Sequence, residues 1–270
     1  MQTQWDYMLK NAGEWEGSFT QIDLNGSIVS DIASHLQIES LGDHHARLTL
    51  TRKSPKHPQP LVIDYHSLNS SILFTNTGAF SQGALQFSPI SQFGGEFGHL
   101  WNDRRLRLVK LFSSDQKLET VTLIREKRPG SEAKFADMLS IDDLLGTWEG
   151  EAMTYYPDLR SPETFTSTLK IDRTDEHTLS QSLTFSGRTI ASTARIEGQS
   201  LFFEQGPLKT QVLRLPDRAS ASFPVDIPKG VPFFLESGWM PEPHVRYRLI
   251  RSYDNQGRWT SLTQVKEVKV

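Results

Sequence analysis

The chain has 270 residues with a formal net charge of −3 and is 37% hydrophobic, 23% charged and 10% aromatic, enough for one large domain or two ordinary ones with full cores. Its dispersed Lys and Arg give no basic stripe for nucleic acid, and no apolar run nears the roughly 18 residues of a membrane span. There is no cysteine, so disulfides, zinc–thiolate centres and thiol nucleophiles are excluded.

The N-terminal stretch "MQTQWDYMLKNAG" is polar from the start and lacks a signal-peptide core, so a cytoplasmic protein is expected. Thr3 can cap a short helix over "QWDYMLKN". "GEWEG" follows at residues 13–17. Then come short, mostly alternating runs rich in β-branched and aromatic residues: 44–52, 60–66, 104–112 and 118–126. "EKRPGSEAKF" at 126–135 has the Pro, Gly and charge of a linker. Ser140 with Asp143 can cap a second short helix over "IDDLLG", and "GTWEG" returns at 146–150. Strand-like runs resume as "FTSTLKI", "HTLSQSLTF", "TIASTARIE" and "LKTQVLRL". A Pro-rich insert, "FPVDIPKGVPFF" (223–234), reads as a loop crossing a barrel mouth or filling a seam between halves.

The second half repeats the first. At the offset of 133 that relates the pentapeptides, Leu36 falls on Leu169, Ile38 on Ile171, His44 on His177 and Leu50 on Leu183. "ILFTNTG" (72–78) matches "SLFFEQG" (200–206) at an offset of 128. Near the end, 106–126 lies over 247–267 without a gap, so that Arg107 meets Arg248, Thr122 meets Thr263 and Glu126 meets Glu267. Internal duplication follows. The expected architecture is all-β: two antiparallel barrels of about nine strands each. The first spans 1–128, a linker 129–139, and the second 140–270.

A Trp on the first strand can plug the closed end of such a barrel, with the glycine two residues earlier letting the chain cross that end. Arg125 and Lys266 on the last strands are the cations expected over Trp15 and Trp148. Gly-x-Trp in this place resembles the lipocalins and their calycin relatives. "GAFSQGALQFSP" (78–89), "RRLRLVKLF" (104–112) and "TLIREKR" (122–128) resemble an uncharacterised family of two-domain calycin-like proteins of cyanobacteria and plastids. The likeness covers nearly the whole chain and is strongest in its first half. It implies two lipocalin-like barrels, a photosynthetic organism and a relation in fold to the lyases that attach bilins to phycobiliproteins. It brings no established activity.

Enzyme constellations are sparse, and no catalytic residue, metal ligand or cofactor is expected. His44 and His45 are adjacent and would face opposite sides of a strand. Glu96 and His99 stand among glycines that read as a bulge or bend. Asp142-Asp143 suits a helix start. No nucleophile elbow or phosphate-binding loop occurs.

A barrel can instead enclose one small hydrophobic molecule. With four-residue turns in the last hairpins ("SSDQ" and "DNQG"), Arg107 lies opposite Thr122, and Arg248, beside Tyr247, opposite Thr263. Pointing inward, such a pair would hold a carboxylate. In the opposite orientation, Leu106, Leu108, Val121, Leu123 and Arg125 line the interior, and a one-residue slip exchanges the two arrangements. Phe80, Phe87, Phe93 and Phe97 interleave with Gln82, Gln86 and Gln92 and either line a pocket mouth or simply alternate along strands. The expected ligand set is Phe80, Gln82, Phe87, Arg107, Thr122, Tyr247 and Arg248. The expected function is non-enzymatic handling of a bilin- or fatty-acid-like carboxylate. The alternative is an assembly protein with filled barrels that binds a partner protein.

Overall fold

The computed structural model describes residues 2–115 and 117–270. Helix α1 (Gln4–Leu9) precedes strands β1 (Gly13–Asp23), β2 (Ile28–Gly42), β3 (His45–Arg52), β4 (Leu61–Tyr65), β5 (Ile72–Phe74), β6 (Phe80–Gly83), β7 (Phe93–Trp101), β8 (Arg104–Phe112) and β9 (Leu118–Lys127). Helix α2 (Ile141–Leu144) then leads into β10 (Gly146–Tyr155), β11 (Glu163–Asp175), β12 (Thr178–Phe185), β13 (Arg188–Glu197), β14 (Ser200–Phe203), β15 (Thr210–Leu215), β16 (Ala219–Pro224), β17 (Phe233–Glu242), β18 (Val245–Tyr253) and β19 (Trp259–Lys269). Every pairing between these strands is antiparallel. The second half closes as a ten-stranded barrel from β10 to β19. The first half is a curled nine-stranded sheet, β4-β3-β2-β1-β9-β8-β7-β6-β5, left open between β4 and β5. Among the described residues no helix is long and apolar enough to cross a membrane.

The repeated pentapeptide occupies repeated structure. Trp15 pairs with Leu36 and Trp148 with Leu169, and both indoles are fully buried. Each indole N–H donates at 2.9 Å to a carbonyl four residues earlier, Asn11 or Leu144. Both short helices carry a capping box, Thr3 with Asp6 and Ser140 with Asp143. The cations over the rings differ from those expected. Arg105 and Arg128 lie 4.7 and 3.7 Å from the Trp15 centroid, and Arg246 and Lys269 lie 4.6 and 4.9 Å from that of Trp148. Arg125 instead approaches Phe135, and Lys266 lies on the exposed side of the second barrel.

The reason is which face of each wall is buried. Leu106, Leu108, Val121 and Leu123 do not line the first interior. They pack with Leu213, Leu215, Ala221, Phe223, Trp239 and Leu249 in one large core shared by the two halves. The outer wall of one half is covered by the other, so the more apolar face of these strands is the seam. The Pro-rich segment belongs to the same seam, with Phe223, Ile227 and Phe233 buried in it.

Two register expectations are corrected. Phe112 pairs with Leu118 and Tyr253 with Trp259, so both last hairpins have five-residue loops; Gln116 of the expected "SSDQ" turn lies outside the described residues. A further register shift beside each loop adds one more residue. Arg107 therefore faces Ile124, with Thr122 opposite Val109, and Arg248 faces Val265. The match of 72–78 to 200–206 also fails in space. Counting back from the last strand of each half, β5 stands in the place of β15, not of β14.

Candidate functional site

The curled first sheet encloses a cavity of about 310 Å³, within the range of small-ligand sites. Leu48, Leu50, Ile63, Phe74, Phe80 and Ile124 give it apolar walls, and Met8 of α1 reaches it as well. Its polar end is formed by Gln82, Glu96, Arg105 and Arg107.

Arg107 points inward and its fork is fully engaged. Its Nε and Nη2 donate to Glu126 at 3.1 and 3.0 Å, and Nη1 donates to Glu96 at 2.8 Å. Arg105 Nε donates to the same Glu126 carboxylate at 2.7 Å. Burial alone would raise the Glu126 pKa, but the two guanidinia outweigh it and hold the carboxyl at about 2. Burial opposes the charge on Arg107 as well, yet Glu126 and Glu96 together raise its pKa. The four side chains thus form a cluster of two cations and two anions with no formal net charge.

The second half repeats this cluster. Arg246 Nε donates to Glu267 at 2.5 Å, and Arg248 donates to Glu267 at 3.2 Å and twice to Glu236, at 3.0 and 2.7 Å. One nitrogen of each outer arginine, Arg105 Nη2 and Arg246 Nη2, is buried with no hydrogen-bond partner among the described residues, and both guanidinia lie over the plug tryptophan. A feature present in both halves belongs to the Trp-plugged barrel end. In the second half Leu169, Ile171, Leu179, Leu201 and Met240 pack with Trp148 in one apolar cluster. In the first half Arg105, Arg107 and Glu96 of the cluster line the cavity.

Of the residues singled out for a ligand, Phe80, Gln82 and Arg107 line this cavity together. Phe87 does not. It packs edge-on against Phe93 and Phe233 in the seam. Thr122 shares the inward face of β9 with Ile124 but is not among the lining residues. Arg248 sits in the second barrel's cluster, and Tyr247 faces outward there against Trp101 at 5.5 Å. Glu96 and His99 lie on opposite faces of β7: Glu96 bonds Arg107, while His99 meets Ser237 across the seam at 3.1 Å, its pKa pushed down to about 3 by burial. The glycines around them mark no bulge, since β7 pairs regularly with β8. Gly98 is small because the Phe80 ring lies on it.

The repeat shows Glu126 meeting Glu267 but does not by itself say that these glutamates hold the arginines. The Arg-x-Arg pairs 105/107 and 246/248 fall on one another as well. Glu96 and Glu236 lie at an offset of 140 rather than 141, which hides their equivalence.

The arrangement has relatives. A profile for the N-terminal domain of a family of unknown function, DUF3598, matches residues 1–131. The crystal structure of a DUF3598 protein of unknown function from Nostoc punctiforme is 42% identical, covers 100% of both chains and superposes with a TM-score of 0.95. The chain belongs to the DUF3598 family. Residues 136–270 of this DUF3598 chain also match a profile described as "Biogenesis factor required for ATP synthase 1, C-terminal domain". Kievitone hydratase from Nectria haematococca aligns over 97% of this chain and 90% of its own at 9% identity, but with a TM-score of 0.21 it supports no argument. No curated protein matches the chain.

Proposed function

We propose that the first half binds a small, mostly apolar molecule in its half-barrel cavity and that the second half is its filled, structural counterpart. The observation that carries this is the cavity of about 310 Å³ lined by the Arg–Glu floor of the first half; the apolar cluster around Trp148 in the second half supports its reading as the packed counterpart. That volume is at the small end of ligand sites. It suits a fatty-acid-like guest, whereas a bilin would have to extend through the gap between β4 and β5. In this proposal both halves are lipocalin-like barrels.

A carboxylate head would meet Arg107 only by displacing Glu96, the more exposed of its two partners. That gives the test its sign. A long-chain fatty acid and a linear tetrapyrrole are titrated against intrinsic tryptophan fluorescence, in the parent and in Glu96→Gln. If the guest is a carboxylate, Glu96→Gln frees a guanidinium donor and removes a like charge, and affinity rises about tenfold, equal to about 1.4 kcal/mol. Saturable binding unchanged in the variant would point to a neutral head. No saturable binding of either compound counts against the reading.

A second reading, that the chain assists assembly of a protein partner, is favoured by the match of residues 136–270 to the biogenesis-factor profile. Chemical cross-linking of the chain in extracts of its own organism, followed by mass spectrometry, tests it. Reproducible cross-links from the chain to one protein would support it, and their absence would oppose it.

A further inference from the structure

The first barrel lacks one strand, and the second shows what belongs there. Eight antiparallel steps separate β4 from β5 around the first sheet, so the two strands flanking the gap run in the same direction. In the second barrel, β13 and β15 stand in the equivalent places and also run in the same direction. Between them β14 pairs antiparallel with both, and its Leu201 and Phe203 contribute to the barrel core. Among the described residues no strand of the first half fills this place.

The two edges facing the gap are treated differently. On β5 the Gln4 side chain acts as a strand substitute: its amide nitrogen donates to the Phe74 carbonyl at 2.9 Å, and its oxygen accepts from the Phe74 N–H at 2.7 Å. The outer edge of β4 has no backbone partner among the described residues. Leu61 and Val62 on it are 45% and 52% exposed. Leu61, Ile63 and Tyr65 of the same strand line the cavity. An unpaired, apolar edge beside an unfilled interior is a template for strand addition.

We infer that this place receives an extended segment of a partner protein, which adds antiparallel to β4 as the tenth strand and sends alternate apolar side chains into the cavity. The inference rests on the partner reading and supplies a site for it. The segment is recognised by backbone pairing and by period-two apolar positions, the chemistry with which β14 fills the second barrel.

The probe is a fluorescein-labelled, end-capped peptide of residues 198–205, "GQSLFFEQ", offered to the full chain. Fluorescence anisotropy reads its binding, and amide hydrogen exchange reads its location. The control peptide carries Leu201→Ser and Phe203→Ser. Saturable binding is expected, with exchange slowed about tenfold or more over residues 61–65 and at least about tenfold weaker binding of the control. Three results would overturn the inference: no saturable binding, protection that spares 61–65, or an edge already protected in a peptide-free dimer seen by sedimentation. If the peptide fails while the cross-linked partner is still found, the β4 site is lost and the partner reading stands. If both fail, both are lost.

Discussion

Arg107 is held by two glutamates, and that fixes what its removal does. Arg107→Ala leaves the buried Glu126 with Arg105 as its one remaining cation and takes from the half-buried Glu96 its arginine partner; breaking a buried ion pair typically costs about 3–5 kcal/mol. The variant should lose about that much stability in urea titration, with or without a ligand. A loss below about 1 kcal/mol would mean that the cluster contributes little. Titration gives a second residue-scale expectation. Glu126 sits at about 2 when folded against about 4.5 unfolded. Its contribution is therefore complete above about pH 4.5 and is lost as pH falls through about 2. Lys110 acts in the opposite sense. It is buried in the seam with the Glu236 carbonyl and the Phe97 ring for company, and burial pushes its pKa down to about 7. The folded chain prefers it neutral, so stability rises between about pH 7 and 10.5. Lys110→Met should raise stability by about 1–3 kcal/mol at pH 6 and by little at pH 10. Equal effects at both pH values would contradict this assignment.

At the scale of elements, the repeated strand start explains both what the sequence revealed and what it hid. The glycine, the tryptophan and the capping boxes were legible because each depends on local chemistry: a helix cap, a tight crossing and a plug. Trp15→Ala should cost about 3–5 kcal/mol, read as a lower melting temperature; a variant as stable as the parent would remove the plug from the account. Gly17 stands where β1 meets β9, and a Cβ there would run into the Arg125 carbonyl oxygen. Gly17→Ala should therefore push these two strands apart and show early amide exchange along β9, whereas exchange unchanged from the parent would mean that the wall yields easily. What stayed hidden was strand-to-strand register. One extra loop residue and one bulge in each last hairpin moved Arg107 from Thr122 to Ile124, and neither leaves a mark in an alternating pattern. Which face was inside was hidden for another reason. Apolar patterning reports burial, and here both faces of β8 are buried, one by the cavity wall and one by the other half.

At the scale of the molecule, the two halves share a core. Beyond the apolar seam, Arg104 pairs with Asp217, and Arg251 donates to the carbonyls of Ser71, Gly83 and Ala84 across the boundary. Residues 136–270 expressed alone would expose Leu213, Leu215, Phe223 and Trp239. That fragment should aggregate or melt well below the whole chain, as followed by circular dichroism; melting at the parent temperature would show that the seam is only an accessory contact. The duplication was legible as a whole because both copies keep their floors. The difference between them was not, because a missing strand and an unfilled interior are properties of the space between segments.

The central claim is that the first half holds an apolar guest where the second holds its own side chains. The most direct measurement is native mass spectrometry of the protein purified from its own organism, beside a Leu48→Trp variant that fills the cavity. The account predicts a small-molecule adduct on the parent that is released on unfolding and is missing from the variant. Bare chain in both preparations, or an adduct that Leu48→Trp leaves in place, would contradict it.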